Sequence, residues 1–205
     1  MFPNQHFSSA AAYLDQYALE IAAAYASIDR SQLDRAATIL KLAIERDASI
    51  FSCGNGGSAA IANHLVCDLQ KGISIDTHYH PKVVSLSSNV ELLTAVSNDI
   101  GYADVFSFPL RLHARSGDVL LAISSSGNSE NIVRALAVAS ELGMDTISMS
   151  GFDGGRSRSM ADAAIHVNAH NYGVVEDVHQ SCMHILSQYI RHQDMPIDLV
   201  LKRRF

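Results

Sequence analysis

His64 and Asp68 stand four residues apart in an alanine-rich helical stretch, so one helix face carries an imidazole and a carboxylate side by side. Toward the other end of the chain, Glu176, Asp177, His179 and His184 interrupt an otherwise apolar segment containing Val175, Val178, Cys182 and Ile185. Ionisable groups on a core helix are expensive to bury unless they are paired or used. Two chemistries use such a set. A carboxylate and an imidazole can act as general base and acid, moving a proton between adjacent carbons of a sugar. Alternatively, His64, Asp68, Glu176 and His184 can hold a divalent cation such as Zn²⁺ that polarises a carbonyl and its neighbouring hydroxyl. The two are compatible. Glu176 and His184 are separated by about 12 Å along a regular helix. One chain brings both to a single ion only if long side chains lean together or the helix breaks near Gly173. A site shared between copies removes that constraint, so an active site at a subunit interface is expected.

Two loops supply a place for an anion. Cys53-Gly54-Asn55-Gly56-Gly57-Ser58 follows the apolar run Ser49-Ile50-Phe51 and precedes the helical stretch that carries His64. Ile123-Ser124-Ser125-Ser126-Gly127-Asn128-Ser129 repeats the arrangement after the strand from Val119 to Ile123. A strand that turns on Asn, Gly or Ser and restarts as a helix presents free backbone N–H groups at a positive helix end. The hydroxyls of Ser124, Ser125, Ser126 and Ser129 add donors suited to a phosphate where cations are few. Ser and Asn also cap helices without any ligand, but two such loops at equivalent strand ends favour a phosphorylated small molecule. Asn98-Asp99 falls in a loop where a sugar hydroxyl could bind, or forms a simple Asx turn. His78 and His80 have no partner spacing and read as surface or loop residues.

The positioning elements follow from periodicity. Residues 8–28 carry a helical stripe (Leu14, Tyr17, Ile21, Ala24, Ile28), and Ser31 is expected to cap a second helix bearing Leu33, Ala37, Leu40 and Ile44. These two helices could pair as a hairpin against the sheet or against another copy. Strands are then predicted at 49–53, 82–86, 118–123, 144–149 and 163–167, and helices at 57–70, 89–97, 103–112, 128–142 and 174–191. That alternation implies an α/β fold, a parallel sheet covered on both faces with ligands at the carboxyl ends of its strands. The organisation expected is one domain over 1–205, with N-terminal helices at 1–47, an α/β core at 48–192 and a tail at 193–205 that packs as an arm or frays.

Bulk properties narrow the partners. With 48% hydrophobic and 18% charged residues, the 205-residue chain has an ordinary globular composition. Its formal net charge of −6 leaves no electrostatic footprint for nucleic acid or an anionic membrane. Cys53, Cys67 and Cys182 cannot all pair and sit in apolar contexts, which reads as reduced core thiols. No leader pattern and no run of about 18 apolar residues appears, so a soluble, cytoplasmic protein is expected.

With these residues in place, the chain resembles the sugar isomerase (SIS) domain family and, within it, the phosphoheptose isomerases. The resemblance rests on Cys53-Gly-Asn-Gly-Gly-Ser-Ala-Ala60, Ser97-Asn-Asp99 with Gly101-Tyr102 and Asp104-Val-Phe106, Ile123-Ser-Ser-Ser-Gly-Asn-Ser129, and Gly151-Phe-Asp-Gly-Gly155. It implies a three-layer fold, a five-stranded parallel sheet flanked by helices, assembled as a homotetramer with interfacial active sites. It also implies an aldose–ketose isomerase of a phosphorylated sugar, sedoheptulose 7-phosphate above others. Substrate contacts would fall on Asn55, Gly56, Gly57, Asn98, Asp99, Ser124, Ser125, Ser126 and Ser129, beside Ser58. The metal and catalytic set would be His64, Asp68, Glu176 and His184, with Asp68 as base and His184 as its acid–base partner. The heptose isomerases place Glu where this chain has Asp68 and Gln where it has Glu176. The shorter Asp68 withdraws a base by about 1 to 1.5 Å, a displacement of the size that costs rate. Glu176 adds a charge that a cation would relieve. Non-catalytic members of the family, which bind a sugar phosphate or scaffold a replication initiator, form the alternative reading.

Overall fold

In the computed structural model, which describes residues 2–205, five parallel strands lie in the order β2-β1-β3-β4-β5: β1 (Ser49–Gly54), β2 (Lys82–Ser85), β3 (Val119–Ser124), β4 (Asp145–Ser150) and β5 (Ala163–His166). Every residue of β3 is buried, as a central parallel strand with both faces covered requires. Its side chains alternate between two cores. Val119, Leu121 and Ile123 face a cluster shared with α1 (Ala10–Ser27), α2 (Arg30–Glu45), α3 (Gly57–Cys67) and α8 (Tyr172–Asp194). Leu120 and Ala122 face one shared with α4 (Val90–Asp99), α5 (Ser107–His113) and α6 (Glu130–Glu141). The three-layer expectation is met.

Element boundaries differ instructively. The N-cap of α2 is Asp29, not Ser31; the Ser31 hydroxyl instead donates to Asp29 Oδ1, so the carboxylate wins the first-turn N–H and the hydroxyl together. Helix α1 packs along α8, tied by the Tyr17 hydroxyl donating to Asp177 (2.7 Å), and α2 packs on β5 and α8. The helix predicted at 57–70 ends as α-helix at Cys67 and continues as one π turn, Asp68–Gly72. Two short helices carry no apolar period to reveal them: α7 (Gly155–Met160) and α9 (Ile197–Val200) in the tail. The tail is an arm. Arg203 forks onto Asp76 (2.8 and 2.9 Å), and Arg191 lies over the Phe205 ring. Cys53 and Cys182 are buried thiols as expected, whereas Cys67 is exposed.

The strand order reverses between β1 and β3, which sit side by side with Gly54 opposite Ile123. Ligands in open α/β sheets bind outside the carboxyl ends of strands at such a switch point. Both predicted anion loops leave the sheet there.

Candidate active site

A cavity of about 140 Å³ opens at that point, lined by Asn55, Ser58, Ser124, Ser125, Ser126, Ser129, Tyr172 and Glu176. The helices behind the two loops, α3 and α6, have no side-chain cap hydrogen bond. The competing explanation for the Ser- and Asn-rich loops therefore loses ground: their first-turn N–H groups are not capped by those side chains. Ser125 Oγ is buried without a partner, and Ser129 Oγ has only Ser124 Oγ at 3.4 Å. Buried hydroxyls left unpaired carry a cost that a ligand would repay.

The serine loop is held from behind. Gly151 N–H donates to Ser125 O (2.8 Å), Ser157 N–H to Gly127 O (2.9 Å) and Arg156 N–H to Asn128 Oδ1 (3.1 Å). This gives the Gly151-to-Gly155 motif its role: its backbone packs directly on the loop. The glycine loop is held by paired carboxamides, Asn55 and Asn131, which donate to each other at 2.9 Å both ways. The Tyr102 hydroxyl also donates to Asn55 Oδ1 (2.8 Å). Asn98 and Asp99 are exposed and hydrogen-bond to each other (2.8 Å) at the end of α4, outside the cavity lining. Within this chain they form a local polar pair, and the segment reaches the glycine loop through Tyr102.

The second half of the site lies on the seam between α3 and α8. His184 Nδ1 is 2.6 Å from Asp68 Oδ2, and His64 Nε2 is 3.3 Å from Asp68 Oδ1. The two imidazoles meet edge to face, 5.0 Å apart. One donor atom each from His64, Asp68 and His184 falls within 4.8 Å of the others. The π turn begins at Asp68, and such turns recur at functional sites because they re-aim one side chain within a helix. The side chains of His64 and His184 remain 46% and 38% exposed, so solvent or a partner surface can reach them.

Two imidazoles and one carboxylate are a donor set suited to Zn²⁺ with a coordination position left for water or substrate. The residues fit the group. The expected quartet is not assembled, however. Helix α8 runs unbroken from Tyr172 to Asp194, and Glu176 sits two turns before His184, in the serine-loop cavity. Its carboxyl lies against Gly57: a Cβ there would come within 2.6 Å of Glu176 Cδ and 2.8 Å of Oε1. Burial first, and then the Asp177 charge, raises the Glu176 pKa above the ordinary glutamate range. The other two α8 groups belong to neither the triad nor the cavity lining. Asp177 accepts from Tyr17, and His179 is fully buried, its pKa pushed down to about 4 by burial.

Fold and site together define an α/β protein with a serine-lined cavity at its switch point and a metal-competent His–Asp–His triad on the same helical seam. Residues 12–151 match the SIS domain family model. The phosphoheptose isomerase of Helicobacter pylori strain P12 is 35% identical over 171 residues, covering 80% of this chain and 85% of that protein. That of Mycobacterium bovis is 40% identical over 147 residues, 71% of this chain and 74% of that one. The solved phosphoheptose isomerase from Neisseria gonorrhoeae superposes with a TM-score of 0.81 at 30% identity, covering 89% of this chain and 96% of that chain. The chain belongs to the SIS domain family and is phosphoheptose isomerase-like within it.

Proposed function

We propose that the protein interconverts the ketose and aldose forms of a phosphorylated sugar, with sedoheptulose 7-phosphate and D-glycero-D-manno-heptose 7-phosphate as the pair. One observation carries this reading: the uncapped serine-loop cavity and the Asp68–His184 pair lie on one α3–α8 seam, about 12 Å apart by helix rise. A seven-carbon sugar phosphate can bridge that distance, with phosphate on Ser124, Ser125, Ser126 and Ser129 and its carbonyl end at the triad. Asn55, Gly56, Gly57 and Ser58 line its middle. Asp68 takes a proton from C1 of the ketose, giving an enediol, and returns a proton to C2 to complete the aldose. His184 exchanges the proton of the neighbouring oxygen and is kept in register by its bond to Asp68. When bound by His64, Asp68 and His184, Zn²⁺ supplies polarisation of the carbonyl and hydroxyl. Closure of the site by other copies of the chain, in a tetramer, is supported by the exposure of the triad and of apolar Leu14, Leu19, Ile185 and Tyr189 on α1 and α8. A cytoplasmic location suits this substrate.

Glu176 places a carboxyl where a dianion must come. Glu176→Gln removes that charge while keeping the shape, and the KM for the phosphosugar should fall about tenfold, equivalent to about 1.4 kcal/mol. Initial-rate kinetics across substrate concentration measure it; an unchanged or higher KM would argue against this placement of the phosphate.

The reading is tested by mixing purified protein with candidate sugar phosphates, with and without chelator, and following both sugar forms by NMR. Conversion of sedoheptulose 7-phosphate is expected. Saturable binding with no conversion of any sugar would favour the non-catalytic alternative, in which the seats serve sensing or scaffolding.

A further inference from the structure

Gln180 was not singled out by sequence patterning, yet it closes the triad into a ring. Its Nε2 lies 3.0 Å from His64 Nδ1 and 3.0 Å from His184 Nε2, while the remaining nitrogen of each imidazole faces an Asp68 oxygen. The hydrogens can be counted. An ionised carboxylate only accepts, so His184 Nδ1 carries hydrogen toward Asp68, and His64 Nε2 stands 3.3 Å from its other oxygen as an ion-pair contact. A carboxamide NH₂ has two hydrogens, one for each of the two nitrogens left over. Asp68 accepts from His184, Gln180 can donate to both imidazoles, and the 3.3 Å approach of His64 to Asp68 closes the metal-free ring.

A cation cannot enter without undoing this. If it takes the lone pairs of His64 Nε2 and His184 Nδ1 on the Asp68 side, the ring hydrogens move to the nitrogens facing Gln180. The NH₂ would then confront two N–H groups, and only the amide oxygen can accept from both. If instead the cation binds His64 Nδ1 and His184 Nε2, the amide oxygen is the atom that can face it, and Asp68 keeps its bond to His184 as an orienting carboxylate. Both routes demand the same reversal.

We propose that Gln180 is a fourth member of the metal centre, whose carboxamide turns over when a divalent cation of zinc type binds and then serves through Oε1. It acts as ligand or as the acceptor that orients both imidazoles. The amide thus stabilises the empty state with one end and the loaded state with the other. This inference rests on the metal reading above.

The test is the dissociation constant for Zn²⁺, measured by competition with a chromogenic chelator, with the Co²⁺ absorption spectrum as a second readout. Wild type, Gln180→Glu and Gln180→Leu are compared, with circular dichroism confirming that each is folded. Glu offers acceptors only, so it loses the empty-state ring and keeps the loaded one; its affinity should rise about tenfold or more. Leu offers neither and should bind about 10- to 100-fold more weakly. The Gln180 side-chain amide signals should also shift on loading. Any pattern other than that opposed pair of changes overturns the role of Gln180 while leaving the metal reading intact. Failure of the wild type to take up any divalent cation overturns both, and the isomerase assay remains an independent test.

Discussion

Asp68→Asn should lower kcat for the sugar phosphate about 1,000-fold while changing KM by no more than about threefold. General acid–base groups contribute about 10²–10⁴ in rate, and Asn keeps the volume of Asp68 without its basicity. The replacement also disturbs the ring: Asp68 bonds to His184 and faces His64 Nε2 at 3.3 Å, and a carboxamide would turn an NH₂ toward one of those two nitrogens. Metal content should therefore fall with kcat. The serine-loop cavity, the proposed phosphate seat, is a separate structure two helical turns away, which is why binding is expected to survive. Steady-state kinetics with metal analysis of the same samples provide the check. A rise confined to KM would move Asp68 from the chemistry to substrate binding.

Gly127→Ala should be the most damaging single methyl in the chain. Gly127 has φ +65°, where an L side chain is strained, and an added Cβ would collide with the carbonyl oxygen of Gly154 and approach its carbon to 2.7 Å. The obstacle is backbone, and it cannot step aside, because the Gly151-to-Ser157 segment is bonded to the serine loop along its length. A loss of about 3 kcal/mol or more is expected from combined strain and overpacking, close to a 10 °C fall in melting temperature for a domain of this size. Phosphosugar should no longer protect against unfolding, since the loop that seats it is displaced. Gly72→Ala is the control: no atom lies within 4 Å of its Cβ and its φ is not positive, so it should melt with the wild type. Thermal denaturation with and without ligand decides the matter, and equal melting of the two variants would contradict the described interlock.

Much of this was legible in the sequence because it was encoded locally. Apolar runs and helical stripes placed all five strands, and the two anion loops announced themselves by residue type at strand ends. The His64–Asp68 pairing followed from spacing on one helix, since side chains four apart share a face. What was not legible depends on contacts between distant segments. Gln180 is an ordinary polar residue until α8 packs on α3, and Asn131 and Tyr102 matter only once they meet Asn55. Helix α7 has no apolar period because it exists to brace the serine loop. Glu176 shows the limit most clearly: eight residues from His184 on an unbroken helix, it belongs to the cavity and not to the triad.

The most direct measurement follows hydrogen at the reacting carbons. Sedoheptulose 7-phosphate incubated with the protein in D₂O should acquire deuterium at C1 and yield aldose labelled at C2, both lost in Asp68→Asn. Conversion without solvent deuterium in either sugar, or labelling undiminished in the variant, would contradict proton transfer by Asp68.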